Sequence, residues 1–310
     1  MLTLAGFGVV FTALWGRDIA RKRARAVAVG TPLAGDAEAQ ATRPGWPSPL
    51  QMLIGLVTNF FDFLGIGSYA TTTSIYKMLR QVPDRLIPGT LLVGHFWPTV
   101  AQAVISITII DVDMVTLVSL IGAAVLGSWL GAGMVSGWPK RKIQIGMGWA
   151  LLAAAGLMFA KAMHWLPPGG NTLGLEGWRL AVGLCANFTF GALMNLGIGA
   201  YLPSLVVFGL LGVNLTAIYP IMMGSCAFIM PTSSIRFIGH GAYATRAALG
   251  LAVGGVPGVL MAAYIIRQLD VKQLLWMVSV VAVYAALSML HSAAKDRRAA
   301  NAAGPTPEAG

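Results

Sequence analysis

The stretch that decides the fold is IGLVTNFFDFLGIGSY at residues 54–69, an apolar helical pattern that a Gly-x-Gly sequence interrupts. A related stretch, VGLCANFTFGALMNLGIGAY, follows at residues 182–201 and carries the same interruption. Pro88 and Pro220 then lie at the same distance past the tyrosine that ends each stretch. Matched blocks in the same order indicate an internal duplication.

The composition around these stretches is that of a membrane protein. Of the 310 residues, 56% are hydrophobic and only 10% are charged, whereas soluble domains carry about 25% charged residues. Apolar runs such as 114–138 and 143–165 approach the roughly 20 residues that a helix needs to cross a bilayer. The sequence therefore predicts an all-α polytopic membrane protein.

Each interrupted stretch belongs to a segment, 50–80 or 179–211, that is too long for one span. The break leaves two arms of about 14 residues, or roughly 21 Å of helix, which is less than the approximately 30 Å hydrocarbon core. We therefore expect two re-entrant hairpins with their tips near mid-membrane. This topology places most of the 21 lysines and arginines on one side of the membrane, as cytoplasmic loops require.

Each half of the transport unit then has one hairpin followed by three spans. The spans are expected at 86–110, 114–138 and 143–165 in the first half, and at 215–235, 246–266 and 273–291 in the second. Because three is an odd number, the second half enters from the opposite side. The result is an inverted repeat, whose binding site is expected near the midplane between the halves.

The remaining segments complete the predicted organisation. The ranges are 1–16 for an N-terminal membrane helix, 17–49 for a basic cytoplasmic connector, 50–165 for repeat 1, 166–178 for an external loop, 179–291 for repeat 2 and 292–310 for a disordered cytoplasmic tail. The first helix is short for a full span and lacks the basic start of a signal peptide. Cys185 and Cys226 are expected to be packing residues.

Short glycine-based motifs carry a family resemblance. They are Gly65-Ile66-Gly67, Pro88-Gly89-Thr90, Val112-Asp113, the glycine-spaced helix after it and Pro139-Lys140-Arg141-Lys142, with Gly197-Ile198-Gly199, Tyr219-Pro220 and Asp270-Val271-Lys272 in the second half. Over residues 50–290 this order resembles the sulfite exporter TauE/SafE family. The resemblance implies export of sulfite, sulfoacetate or a related small anion. It also implies a multi-pass permease of the bacterial inner membrane.

The candidate substrate-binding residues cluster at the two breaks. A helix arm that starts at Ser68 or Ala200 would aim its N-terminal N–H groups at an anion in the cavity. The candidates are Asn59, Gly65, Gly67, Ser68, Thr71 and Thr90 in the first half, and Asn187, Asn195, Gly197, Gly199, Tyr201 and Ser204 in the second. The alternative is that the hydroxyl groups bond to their own helices and the glycines allow close packing. We expect such packing seams at glycines 122–133 and 250–258.

Two titratable residues are candidates for proton coupling. Asp62 is a carboxylate beside the first break, and ionisable groups at membrane depth are rare and usually functional. It would repel an anion when ionised and admit it when protonated. The structural alternative is a carboxylate that caps backbone N–H groups at the hairpin tip. His95 could relay a proton, or it could be hydrogen-bonded to a neighbour.

The residues favour a transporter over an enzyme. A membrane-embedded enzyme would need converging acid, base or metal groups, but Asp111, Asp113, Glu176 and Asp270 are predicted at loop edges. We therefore expect no cofactor, no metal and no catalytic residue. The net charge of +10 reflects topology rather than nucleic-acid binding. The expected partners are a small anion, the lipid bilayer and coupling protons, and a homodimer is compatible with the sequence. An importer or a channel for a sulfur oxyanion is the alternative.

Overall fold

The structure is a computed structural model that describes residues 2–29, 41–64, 67–135, 170–194 and 201–266. Regular secondary structure in these ranges is helical. The helices are α1 (Leu2–Val29), α2 (Pro49–Phe63), α3 (Ser68–Met78), α4 (Ile87–Gly94), α5 (Phe96–Ile109), α6 (Met114–Val135), α7 (Gly177–Met194), α8 (Tyr201–Leu210), α9 (Leu215–Gly239) and α10 (Thr245–Ile266). The spans predicted at 143–165 and 273–291 and the C-terminal tail lie outside the described residues.

Three helical segments are long and apolar enough to cross a membrane: Asp84–Ile109, Thr216–Gly239 and Thr245–Ile265. The prediction of an all-helical membrane protein is therefore confirmed at this level. The first segment differs from the single span predicted at 86–110, because the helix is interrupted at His95, between α4 and α5. Pro98 follows the interruption, and a proline has no N–H with which to continue the hydrogen-bond ladder.

Helix α2 begins and ends where its sequence dictates. The Ser48 hydroxyl accepts the Gln51 backbone N–H while the Gln51 side chain accepts the Ser48 N–H, which is a capping box. At the other end Gly67 has φ = 82°, a left-handed value that glycine adopts without steric cost. Helix α3 then starts at Ser68, as the Gly-x-Gly sequence predicts.

The chain reverses direction between α2 and α3. The first turn of α2 lies against the first turns of α10, since a Cβ on Gly250 would stand 2.6 Å from the Gln51 Cβ. The last turn of α3 returns to the same place, where the Tyr76 hydroxyl donates to the Ala247 carbonyl at 3.4 Å. The outer ends of both arms therefore meet the beginning of α10.

Helices α7 and α8 have a similar arrangement at the beginning of α6. The Leu175 backbone N–H, just before α7, donates to the Thr116 hydroxyl at 2.9 Å. The end of α8 is close by, because the Thr172 N–H reaches the Gly212 carbonyl at 3.4 Å. Asp113 accepts the Thr116 N–H at 2.7 Å, and this backbone bond holds the pKa of Asp113 below its usual value.

Glycines allow the closest helix contacts. A Cβ on Gly254 of α10 would lie 1.9 Å from the Met52 carbonyl oxygen of α2. Between α6 and α7, a Cβ on Gly127 would lie 1.9 Å from the Phe188 carbonyl oxygen and one on Gly191 would lie 2.0 Å from that of Ala124. The packing seams predicted at 122–133 and 250–258 are confirmed at Gly127 and Gly254, whereas no described atom would lie within 4 Å of a Cβ on Gly122.

This difference between glycines leads to a prediction about stability. Gly254→Ala is expected to destabilise the protein by about 1–3 kcal/mol or more, because backbone atoms of α2 cannot move aside as a side chain can. The matched control is Gly122→Ala, which should stabilise the protein by up to about 1 kcal/mol through helix propensity. Thermal unfolding in detergent would compare the two variants. Equal effects of both substitutions would contradict the close α2–α10 contact.

Helix α1 is longer than the sequence predicts. The helix continues to Val29, so the first part of the predicted connector is helical. Lys22 is paired with Asp18 at 3.1 Å, and the Tyr243 hydroxyl donates to the same carboxylate.

Cys185 is exposed on the outside of α7 and Cys226 is half-buried, so the expectation that both are packing residues was wrong for Cys185.

Candidate functional site

The tip between α2 and α3 is organised around the Asp62 carboxylate. The Ser68 backbone N–H, at the first residue of α3, donates to Asp62 Oδ1 at 2.7 Å. Gln102 Nε2, from α5, donates to Asp62 Oδ2 at 3.1 Å. All three residues are buried. The N-terminus of α3, which the sequence predicts to face an anionic substrate, therefore holds a carboxylate of the protein itself.

His95 lies between the two arms of the first hairpin. Its Nδ1 is 2.9 Å from Asn59 Oδ1 on α2, and its Nε2 is 3.1 Å from the Thr72 hydroxyl on α3. The Tyr69 ring stacks on the imidazole with a centroid distance of 5.9 Å. His95 is completely buried. The interrupted α4–α5 helix thus inserts one imidazole that joins α2 to α3.

The hydrogen bonds of Asn59 assign the tautomer of His95. Asn59 Nδ2 donates to the Gly55 carbonyl at 2.7 Å, so Asn59 Oδ1 faces the imidazole as an acceptor and His95 Nδ1 carries a hydrogen. In the neutral ring Nε2 then accepts from the Thr72 hydroxyl. If Nε2 gained a proton, the same hydroxyl could rotate and accept instead. Asn59 and Thr72 can therefore provide hydrogen-bond partners for both His95 ring nitrogens in either protonation state.

This bonding leads to a prediction for Thr72. Thr72→Val keeps the shape of the side chain but leaves His95 Nε2 without its partner, which is expected to cost about 1–3 kcal/mol. The control is Thr71→Val, because among the described residues the Thr71 hydroxyl bonds to the Gly67 and Ser68 carbonyls at the start of its own helix and to no other group. The control should change the free energy of unfolding by less than about 0.5 kcal/mol. Thermal unfolding measures both, and similar losses would contradict a role for Thr72 beyond α3.

A small cavity, with room for about one water molecule, lies beside α7, α8 and α9. Polar groups from three helices line it, namely Asn187, Ser204 and Ser225. Asn187 Nδ2 donates to the Leu120 carbonyl of α6 at 2.7 Å and contacts the Ser225 hydroxyl at 3.0 Å. The remaining lining is apolar or sulfur-containing, with Ala124, Phe190, Gly191, Met194, Met222, Cys226 and Ile229.

Tyr69 connects the first tip to the cavity. Tyr69 belongs to the same buried hydrophobic cluster as Met194 and Ile229, and Cys226 packs against that cluster. Met194, Cys226 and Ile229 all line the cavity. The phenol is also close enough to Asp62 and Cys226 for electrostatic interaction. The Cys226 thiol in turn contacts Met194 Sδ at 3.6 Å. Asp62 and the cavity are therefore neighbours.

The predicted site residues fall into three groups. Asn59, Asp62, Ser68 and His95 meet at the first tip, and Asn187 and Ser204 meet at the cavity. Gly67 supplies the left-handed turn before α3, and Tyr201 is the first residue of α8. Four others lie outside the described residues: Gly65, Asn195, Gly197 and Gly199.

Thr71 and Thr90 have structural contacts instead. The Thr71 hydroxyl bonds to its own helix. Thr90 donates to the Leu86 carbonyl at 2.7 Å and accepts the Ala244 N–H at 2.9 Å, so it joins α4 to the loop before α10. The bonds from the Thr71 and Thr90 hydroxyls to carbonyls about one turn earlier are of the kind that serine and threonine commonly make in membrane helices.

Gln102 and Tyr69 are site residues that the sequence reasoning missed. Gln102 lies seven residues after His95, which places both on one face of a helix. An amide within an apolar span was a signal that could have been used. Tyr69 carried a weaker signal, since its repeat partner Tyr201 was selected and Tyr69 was not.

Comparisons of the chain with protein-family models, with curated proteins and with solved structures gave no match. Among the described residues, no group of three or more histidine, cysteine or acidic side chains is placed to hold a metal ion. The functional argument therefore depends on the geometry of the two polar sites.

Proposed function

We propose that the protein is a secondary transporter that exports a small anion of the sulfite, sulfoacetate or organosulfonate class. In this proposal it is a TauE/SafE-type permease of the bacterial inner membrane. The observation that carries the proposal is the group of buried polar side chains Asn187, Ser204 and Ser225, which lines a small cavity between α7, α8 and α9. In an apolar helical bundle, polar groups are tolerated where they bond within the protein or line a cavity.

The helix contacts support an inverted repeat. Helix α2 packs along α10, and α7 packs along α6, so the first arm of each hairpin lies on the second span of the other half. Each asparagine also bonds to the helix after its own hairpin, Asn59 to His95 and Asn187 to Ser225. Matching contacts of this kind are expected when the two halves are copies of one unit.

The direction of the chain supports the inversion. The first hairpin opens at the beginning of α10, and the second opens at the beginning of α6. The helical segment Asp84–Ile109 connects these two places and has 26 residues, or roughly 39 Å of helix. That length separates opposite membrane faces, so the two hairpins would enter from opposite sides.

The electrostatics of the cavity favour an anion. Both Asn187 Nδ2 hydrogens and the Ser225 hydroxyl hydrogen already bond within the protein, so the feature that attracts an anion is the N-terminus of α8, which begins one turn before Ser204. A helix N-terminus carries about half a positive charge. Export is also favourable, because each negative charge that moves outward gains about 2.3 kcal/mol per 100 mV when the cytoplasm is negative.

Reconstitution into liposomes tests the proposal. The purified protein should give saturable sulfite or sulfoacetate flux that an opposing membrane potential slows, and Asn187→Leu should reduce it at least tenfold. Counterflow against unlabelled anion would distinguish a carrier from a channel, the main alternative. Absence of flux for every sulfur oxyanion and sulfonate tested would reject the proposed substrate class. Chemical turnover of the anion would instead indicate an enzyme.

A further inference from the structure

Two residues beside Asp62 each have a buried oxygen atom without a hydrogen-bond partner among the described residues. The two atoms are Gln102 Oε1 and the Tyr69 hydroxyl oxygen. Gln102 is 0% exposed and Tyr69 is 6% exposed. A buried polar atom without a partner costs about 1–3 kcal/mol. Two such atoms near one carboxylate point to a group that binds there.

The orientation of the Gln102 amide does not remove the problem. In the observed orientation Gln102 Nε2 donates to Asp62 Oδ2 at 3.1 Å and Oε1 is unpaired. Turning the amide by 180° exchanges the two atoms but leaves one of them unpaired. One polar atom of the Gln102 amide is therefore unpaired in either orientation of the amide.

The helix ends at the tip create a local field that favours a positive charge. Helix α2 ends at Phe63, immediately after Asp62, and the C-terminus of a helix carries about half a negative charge. The positive N-terminus of α3 is already paired, since the Ser68 N–H bonds to Asp62 Oδ1. In transporters with broken helices, the C-terminal ends of half-helices coordinate Na⁺ or H⁺.

We infer that Asp62, Gln102 and Tyr69 form a binding site for a hard monovalent cation, with Na⁺ as the expected ion. Its ligands are the Asp62 carboxylate and the oxygens of Gln102 and Tyr69. Oxygen ligands suit hard cations, and a single carboxylate balances one positive charge. A bound proton would need only the carboxylate, so it would leave the Tyr69 hydroxyl unpaired.

The cation would change the electrostatics of the adjacent cavity. Without it, the Asp62 carboxylate repels an anion beside Tyr69 and Cys226. With it, the net charge of the tip is zero and the anion binds more tightly. This coupling role rests on the proposed transport of an anion, whereas binding of the cation itself does not.

The thermal unfolding of the full-length protein in detergent tests the site. NaCl is compared with choline chloride at equal ionic strength, without any anion substrate other than chloride. A site for Na⁺ predicts a saturable rise of the unfolding midpoint in NaCl, because a ligand that binds the folded state stabilises it. Asp62→Asn is expected to abolish the rise.

Tyr69→Phe separates a ligand role from a packing role. The substitution removes one unpaired hydroxyl, so in choline chloride it should leave the protein unchanged or more stable. In NaCl it should lower the apparent affinity for Na⁺ about tenfold, equivalent to about 1.4 kcal/mol. The matched control is Tyr76→Phe on the same helix, whose hydroxyl bonds to the Ala247 carbonyl. That control should lose stability equally in both salts.

Two outcomes would overturn the inference. The first is a wild-type protein whose unfolding midpoint does not depend on Na⁺, including one that responds only to pH. The second is a Tyr69→Phe variant that loses the same stability in both salts. If Na⁺ stabilises the protein but no anion is transported, the proposed function fails and the cation site stands. If anion flux occurs without any effect of Na⁺, the cation site alone fails.

Discussion

Ser204→Asp is expected to lower anion transport roughly a hundredfold, whereas Ser204→Asn should retain most of it. Ser204 is buried and lines the cavity between α7, α8 and α9. Two like charges about 5 Å apart repel by about 3 kcal/mol at an effective dielectric constant of 20. Asp and Asn have nearly the same shape, so the difference between these variants measures the effect of charge.

The two variants should also fold similarly. Ser204 lies in the first turn of α8, where a carboxylate interacts favourably with the helix dipole. Initial flux in proteoliposomes, normalised to the amount of folded protein, gives the comparison. If Ser204→Asp transported the anion as fast as Ser204→Asn, the cavity would not be the anion site. Faster uptake of a cation by the aspartate variant would indicate that the charge preference is reversed.

The sequence predicts the broken helices well because their signal is local. Glycine weakens a helix interior and reaches the left-handed conformation that a turn needs, so a Gly-x-Gly sequence inside an apolar segment favours a break. Helix α3 begins at Ser68 as expected. The close contacts at Gly127 and Gly254 were also predictable, since glycine spacing on an apolar helix is typical of packing seams. Which glycines have a neighbouring backbone, unlike Gly122, depends on tertiary structure.

The partners of the site residues could not be derived from local patterns. Asp62 was recognisable as a carboxylate at membrane depth, but its bond to Gln102 joins residues far apart in sequence. Similarly, His95 was expected to act alone or with an unspecified neighbour, and its contacts with Asn59 and Thr72 depend on the interruption between α4 and α5. No sequence signal marks that interruption except Pro98.

Charge patterns misled the prediction for α1. Basic residues after position 16 suggested that the membrane helix ends there, but arginine, lysine and alanine are good helix formers and the helix continues to Val29. Its extension is held by the Asp18–Lys22 pair and by Tyr243 from the loop before α10. A change in solvation at a membrane boundary does not require the helix to end.

Asp62→Asn is expected to leave the protein folded and to remove the dependence of anion transport on its coupling ion. The asparagine Oδ1 can still accept the Ser68 N–H, and its amide can donate to Gln102 after the Gln102 amide turns. The hydrogen bonds of the tip are thus preserved while its negative charge is lost. Anion binding should persist, because the neutral side chain mimics the charge-balanced state of the carboxylate.

The control for this prediction is Asp62→Leu, which removes the charge and both hydrogen bonds. It leaves the Ser68 N–H and Gln102 Nε2 buried without a partner, at a cost of about 1–3 kcal/mol for each. We therefore expect the leucine variant to be destabilised by about 2–6 kcal/mol and to accumulate poorly. Flux measured across a range of Na⁺ concentration and pH distinguishes the roles of charge and structure. If Asp62→Asn folds as poorly as Asp62→Leu, or if its residual flux keeps the wild-type dependence on both ions, Asp62 serves only to cap α3 and the coupling role is wrong.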